Sequence, residues 1–141
     1  MTRIDFHSNV PDKVAYACRL VRKARAADCS IVLFVNDRAQ RSALDDALWT
    51  FSAADFLPHA MADDALAAHT PILLTGDDQL PLPHHQVLIN LSTATPANFT
   101  QFERVIEVVS SEVSDIAAGR ERYHFYKQQG YPPTHHVAEK T

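Results

Sequence analysis

Short runs of mostly apolar residues constrain the fold of this chain more than any other feature. They lie at residues 31–35, 72–75, 87–91 and 105–109, and segments with helical apolar spacing separate several of them. A strand that is apolar throughout has both faces covered, which is typical of a parallel sheet between helical layers. The sequence therefore predicts a three-layer α/β fold, with a mostly parallel, Rossmann-like sheet and helices on both faces.

The length of 141 residues is typical of one domain. Its last helix is predicted to end near Gly130, because glycine suits a helix C-terminus and the following Pro132 and Pro133 cannot continue the helix. We therefore place the domain at residues 1–133 and expect residues 134–141 to form a flexible C-terminal tail. No apolar run approaches the roughly 20 residues of a membrane span, and no signal peptide is recognisable, so we expect a cytoplasmic protein.

Phosphate-binding glycines are missing from the turns where such a fold often binds nucleotides. The chain has only three glycines, and the turns HSNVPDK and NDRAQR contain none. We therefore expect a fold without a nucleotide site and without another cofactor. A nucleotide-binding or hydrolytic enzyme with an unrecognised site among Asp37, His59 and Asp77 is the alternative, although no motif supports it.

Histidine and cysteine patterns favour neither metal binding nor covalent catalysis. The adjacent pairs His84-His85 and His135-His136 direct their side chains apart, and no zinc-type spacing occurs. Cys18 falls on the apolar stripe of a predicted helix, which indicates a core position rather than a reactive thiol. We predict no metal ligand and no catalytic residue.

Cationic and aromatic residues alternate in the segment GRERYHFYKQQGY, which belongs to the predicted last helix. Residues three and four apart share a helix face, so Arg120, Tyr123, His124 and Lys127 point the same way. The same face is apolar one turn upstream at 113, 116 and 117. This pattern indicates a groove for an acidic, aromatic peptide end, or for nucleic acid; ordinary core packing, which we expect for Phe125, is the alternative.

The distribution of charge disfavours direct DNA binding. Residues 42–119 hold one basic and eleven acidic side chains, and the net charge of the chain is −4. DNA affinity depends on neutralising phosphates, which an acidic segment opposes.

A second unusual segment, LDDALWTFSAADFLPHAM, begins at Leu44. Trp49, Phe51, Phe56 and Leu57 fall at a helix end and in the irregular segment that follows, and Pro58 keeps that segment extended. Such a loop either folds back onto the core or contacts a partner, since aromatic residues are also enriched at interface centres.

Both segments resemble the chi subunit family of the bacterial DNA polymerase III holoenzyme, and the likeness extends over nearly the whole chain. The resemblance implies a non-catalytic adaptor of the clamp-loader complex. Its partners would be the psi subunit and the acidic C-terminal tail of the single-stranded-DNA-binding protein, which ends in phenylalanine.

The resemblance also implies which residues carry each contact. Those implied for the tail are Arg120, Tyr123, His124, Lys127 and Val109, and those implied for the psi interface are Trp49, Phe56 and Pro58. His124 stands where better-known members carry lysine, and Ile116 replaces a basic residue. We therefore expect weaker tail binding, which declines further where histidine is neutral.

Overall fold

A computed structural model describes residues 2–50 and 57–138. Within them the elements are β1 (Arg3–Val10), α1 (Lys13–Ala26), β2 (Ile31–Phe34), α2 (Arg38–Thr50), β3 (His59–Met61), β4 (Ile72–Thr75), β5 (Val87–Asn90), β6 (Arg104–Ser110), α3 (Val113–Gln128) and β7 (Thr134–Val137). Two short 3-10 helices, Ala67–His69 and Phe99–Gln101, complete this part of the chain.

The strands form one parallel sheet in the order β3-β4-β2-β5-β6-β1-β7. Every residue of the central strands β2, β4 and β5 is buried, as their apolar sequences predict. Helices α1 and α2 share a core with one face of the sheet, and α3 covers the other face. The three-layer α/β prediction is confirmed.

Helix ends follow local sequence in two cases and differ in a third. Asp12 caps α1 through the Ala15 N–H at 3.2 Å, and Asp37 accepts hydrogen bonds from two first-turn amides of α2. Ser110 and Ser111 are capping residue types just before α3, yet Glu112 occupies the N-cap position and makes no capping bond with its side chain. At the other end of α3, Gly130 adopts a φ of 86°, as its predicted C-terminal role requires.

Two strands, β3 and β7, extend the sheet beyond the sequence prediction. Thr134–Val137, which we had assigned to a tail after residue 133, lies in the sheet as β7 beside β1. All four of its side chains are exposed, so no apolar alternation indicates a strand. Backbone pairing with β1 holds this segment as a strand instead, and the Ala138 N–H adds a bond to the Ser8 carbonyl at 2.8 Å. The domain boundary predicted at residue 133 is corrected accordingly.

Two predicted contact residues, Phe51 and Phe56, lie outside the described residues. Among the residues that the structure does describe, no helix is long and apolar enough to cross a bilayer.

Candidate functional site

The inward face of α3 is mostly polar. Its buried residues are Asp115, Gly119, Arg122 and Tyr126, which recur at three- and four-residue spacing. Because these residues face the sheet, Arg120, Tyr123 and Ile116 lie on the flank of the helix rather than beneath it.

A buried ionic cluster fixes this orientation of α3. Glu107 of β6 is completely buried, and its carboxylate accepts a hydrogen bond from Arg122 Nε at 3.0 Å. The Tyr126 hydroxyl donates to the same carboxylate at 2.6 Å, and Asn90 Nδ2 donates at 2.8 Å. Burial raises the pKa of Glu107, and the charge of Arg122 with these hydrogen bonds opposes that rise.

A groove of about 510 Å³ lies between the flank of α3 and the strands β6, β1 and β7. Three predicted tail-binding residues, Val109, Arg120 and Tyr123, line it. Ile116 and Phe6 add apolar surface, so the groove combines an apolar interior with one guanidinium. This volume is in the range of ordinary ligand pockets.

A close approach between α3 and β6 forms the floor of the groove. A Cβ atom on Gly119 would lie only 2.9 Å from Val109 Cγ2, so the helix can sit this close to the strand only because residue 119 has no side chain. Tyr123 lies over Phe6 with ring centroids 5.2 Å apart, and its hydroxyl donates to the Pro133 carbonyl at 3.4 Å. The phenol ring is therefore held as one wall.

The side chain of Arg120 is exposed and makes no hydrogen bond or ion pair with any other described residue. The buried carboxylate of Glu107 forms its ion pair with Arg122, which lies two residues after Arg120 in the chain. The guanidinium of Arg120 is thus available to an external anion beside the apolar groove.

The other residues predicted on this helix face lie beyond the groove. His124 and Lys127 are exposed but are not among the residues that line it. Phe125, which we expected in the core, is 38% exposed and meets Phe99 edge-on. Its inward place is taken by Tyr126, which is fully buried.

Sequence reasoning missed the wall that β1 and β7 contribute. Phe6, Ser8 and Asn9 come from β1, and His135 comes from β7. No local pattern marks these residues, because only the pairing of β7 with β1 brings them beside α3.

The residues implied for the psi interface lie near the opposite edge of the sheet. Trp49, at the end of α2, is 54% exposed, and its ring centroid lies 4.3 Å from that of His59. His59 is held by the Leu57 carbonyl at 2.6 Å and by Asp45 at 3.0 Å. Pro58 is partly buried beside them, and Phe56 falls outside the described residues.

Carboxylates occupy the helix N-termini at the carboxyl ends of β1, β2 and β6. Asp12 and Asp37 cap α1 and α2, and Asp115 accepts bonds from the Ser110 N–H and Lys13 Nζ at 2.7 and 2.8 Å. Burial raises the pKa of Asp115, but its bonds from Lys13 and Ser110 outweigh that effect and hold the pKa below its ordinary value. A phosphate approaching these ends would meet negative charge.

The residues of the enzyme alternative are not assembled into one site. Asp37 and Asp77 line separate cavities, and His59 lies against Trp49. In the described ranges, no three or more metal-ligating side chains are arranged to hold an ion. Burial raises the pKa of the Cys18 thiol to about 11, in keeping with its core position.

Comparison with known proteins gives a consistent result. The sequence model of the family described as DNA polymerase III chi subunit, HolC, matches residues 1–134. The chain is 37% identical over 140 residues to the DNA polymerase III subunit chi of Pseudomonas aeruginosa, with 96% of each chain covered. It is 26% identical over 114 residues to the protein of the same name from Escherichia coli K12, with 81% of this chain and 78% of that protein covered.

Proposed function

This chain belongs to the DNA polymerase III chi subunit family, and from that premise we propose that it acts as a non-catalytic adaptor in the replicative polymerase complex. One surface binds the psi subunit of the clamp loader. The groove beside α3 binds the acidic C-terminal tail of the single-stranded-DNA-binding protein. DNA is engaged only indirectly, through that protein.

The observation that carries this proposal is the Arg120 guanidinium at the edge of an apolar groove, which pairs with no other side chain in residues 2–50 and 57–138. A peptide that ends in phenylalanine offers a ring and a carboxylate a few ångströms apart. Val109, Ile116 and Phe6 supply apolar surface for the ring, and Arg120 can bind the carboxylate through two parallel hydrogen bonds. Exposed His124 and Lys127 then lie near the acidic residues that precede the peptide's end.

The surface proposed for psi is centred on Trp49. An exposed indole supported by a buried His59 presents a rigid apolar area, which is what interface centres favour. Pro58 and the neighbouring Phe56 belong to the same proposed surface.

The positions of the two surfaces support a bridging role. The psi surface lies beside β3, at one edge of the sheet, and the groove lies beside β7 at the other. Seven strands span roughly 29 Å at an inter-strand spacing of about 4.8 Å. Two partners at this separation can bind at the same time.

The tail contact is tested by titrating a fluorescent peptide that ends in Asp-Phe-Pro-Phe. Arg120→Ala should weaken binding about 10- to 100-fold, because a charge-assisted bidentate contact contributes about 1.5–3 kcal/mol. Arg38→Ala is the matched control, since Arg38 is an exposed arginine of α2 on the other face of the sheet. Equal affinity for wild type and Arg120→Ala would refute the tail assignment.

The psi contact is tested separately by affinity measurement with purified psi. Trp49→Ala should reduce psi binding and leave the peptide affinity unchanged. Leu66→Ala, which removes an exposed apolar side chain elsewhere, provides the control. Loss of both contacts in Trp49→Ala, together with a lower unfolding midpoint, would show a folding defect and contradict the assignment of Trp49 to one interface.

A further inference from the structure

The groove beside α3 has a second wall, and that wall is the edge strand β7. Register pairs His135 with Phe6 and Ser8 with Val137, so His135 comes up on the same face of the sheet as α3. His135 lines the groove together with Arg120. The next residue, His136, points to the opposite face, where its ring lies 5.1 Å from that of His7.

Ser8 holds the imidazole of His135 in place. The Ser8 hydroxyl and His135 Nε2 are 2.6 Å apart, and the Ala138 N–H bonds to the Ser8 carbonyl at 2.8 Å. When the hydroxyl donates to Nε2, the remaining ring proton is on Nδ1. Nδ1 has no hydrogen-bond partner among the described residues, so it can donate to a molecule in the groove.

The charges around the groove favour an anionic end group. Ten residues line the groove. None of these is acidic, and Arg120 and His135 come from different elements, α3 and β7. A carboxylate placed between those two elements would have a donor on either side.

We propose that His135, positioned by Ser8, is a second donor to the terminal carboxylate of the bound peptide, so that the carboxylate is held between α3 and β7. The inference rests on the proposed tail-binding function and makes it more specific. It assigns recognition of the free chain end to two residues that are 15 positions apart in sequence. A neutral amide end keeps one acceptor oxygen but loses the negative charge, so both contacts should be weaker.

The test compares two adjacent histidines on opposite faces of one strand. His135→Ala should weaken binding of the Asp-Phe-Pro-Phe peptide about tenfold, and His136→Ala should change it less than about twofold. His135→Gln, which keeps a donor at the same place, should recover part of the loss. Ser8→Ala should give a smaller loss than His135→Ala, because the ring then lacks only its positioning contact.

The same titrations with a peptide amidated at its C-terminus identify the contact. If His135 binds the carboxylate, His135→Ala should weaken binding of the amidated peptide much less than binding of the free acid. An equal loss with both peptides, or equal losses in His135→Ala and His136→Ala, would overturn the inference.

The outcomes also separate this inference from the proposed function. One outcome would refute only the role of His135: wild type binds the peptide, Arg120→Ala does not bind it, and His135→Ala binds it as tightly as wild type. If wild type fails to bind the peptide at all, the tail assignment falls with it. Urea unfolding midpoints of all variants control for folding, and the exposed position of β7 leads us to expect no shift.

Discussion

Replacing Arg122 with leucine should strongly lower the unfolding free energy of this domain. The substitution changes none of the residues that line the groove. Arg122 is 3% exposed and Glu107 is fully buried, with Nε and Oε1 3.0 Å apart. Removing one member of a buried ion pair costs about 3–5 kcal/mol, because the other charge is left without its partner. Arg122 Nη1 also donates to the Thr93 carbonyl at 3.1 Å, and that bond is lost as well.

The assay is urea unfolding followed by circular dichroism near neutral pH. We expect a loss of about 3–5 kcal/mol in unfolding free energy and a fall in Tm of roughly 10 °C. Arg120→Leu is the matched control, since the same change two residues away removes an exposed side chain and should shift stability by less than about 0.5 kcal/mol.

The pH dependence of the loss gives a further check. Burial already raises the pKa of Glu107, and without Arg122 the pKa rises further. The folded variant then binds a proton that the unfolded chain releases above about pH 4.3, so its stability relative to wild type should improve as pH falls. Replacing both residues with leucine should cost less than Arg122→Leu alone. A loss below about 1 kcal/mol in Arg122→Leu would refute this account of the cluster.

Three further predictions concern packing and pH. Gly119→Ala should lower the unfolding free energy by about 1 kcal/mol, because the clash with Val109 exceeds the gain in helix propensity. In a Val109→Ala background the same change should be neutral or stabilising. Equal effects in the two backgrounds, measured by urea unfolding, would contradict the close contact. Burial first, and then the charge of His136, lowers the pKa of His7 to about 4. Between about pH 6.5 and pH 4 the unfolded chain therefore binds a proton that the folded chain does not. The stability of the wild type should decrease as pH is lowered through this range, and His7→Gln should reduce the pH dependence of the urea unfolding midpoint there. Asp115, whose pKa is held low by Lys13 and the Ser110 amide, should contribute stability that is present above about pH 4 and lost at lower pH, and Lys13→Met should reduce that acid dependence.

Much of the fold could be predicted because the signals are local. The apolar runs at β2, β4 and β5 report strands buried on both faces, and Asp37 and Gly130 mark helix ends through backbone geometry within a few residues. The residues that α3 contributes to the groove could be predicted for the same reason, since Arg120 and Tyr123 are one helical turn apart.

The inward face of α3 could not be found from hydrophobic spacing. Asp115, Gly119 and Arg122 are buried there, and none of them is a large apolar residue. One clue was present in the sequence, since Glu107 interrupts the apolar run of β6. A carboxylate on a strand whose two faces are both covered requires a charged partner, and Arg122 is that partner.

The sequence by itself determined the layered sheet, the N-termini of α1 and α2, the C-terminus of α3 and its cationic stripe, because each depends on residues that are neighbours along the chain. Only the tertiary structure decided that Arg122 turns inward while Arg120 lines the groove, and that β7 pairs with β1 to bring His135 there. These arrangements depend on contacts between segments far apart in the chain. A buried charge or an edge strand gains its stability from the partner it meets, and the sequence around it carries little trace of that partner.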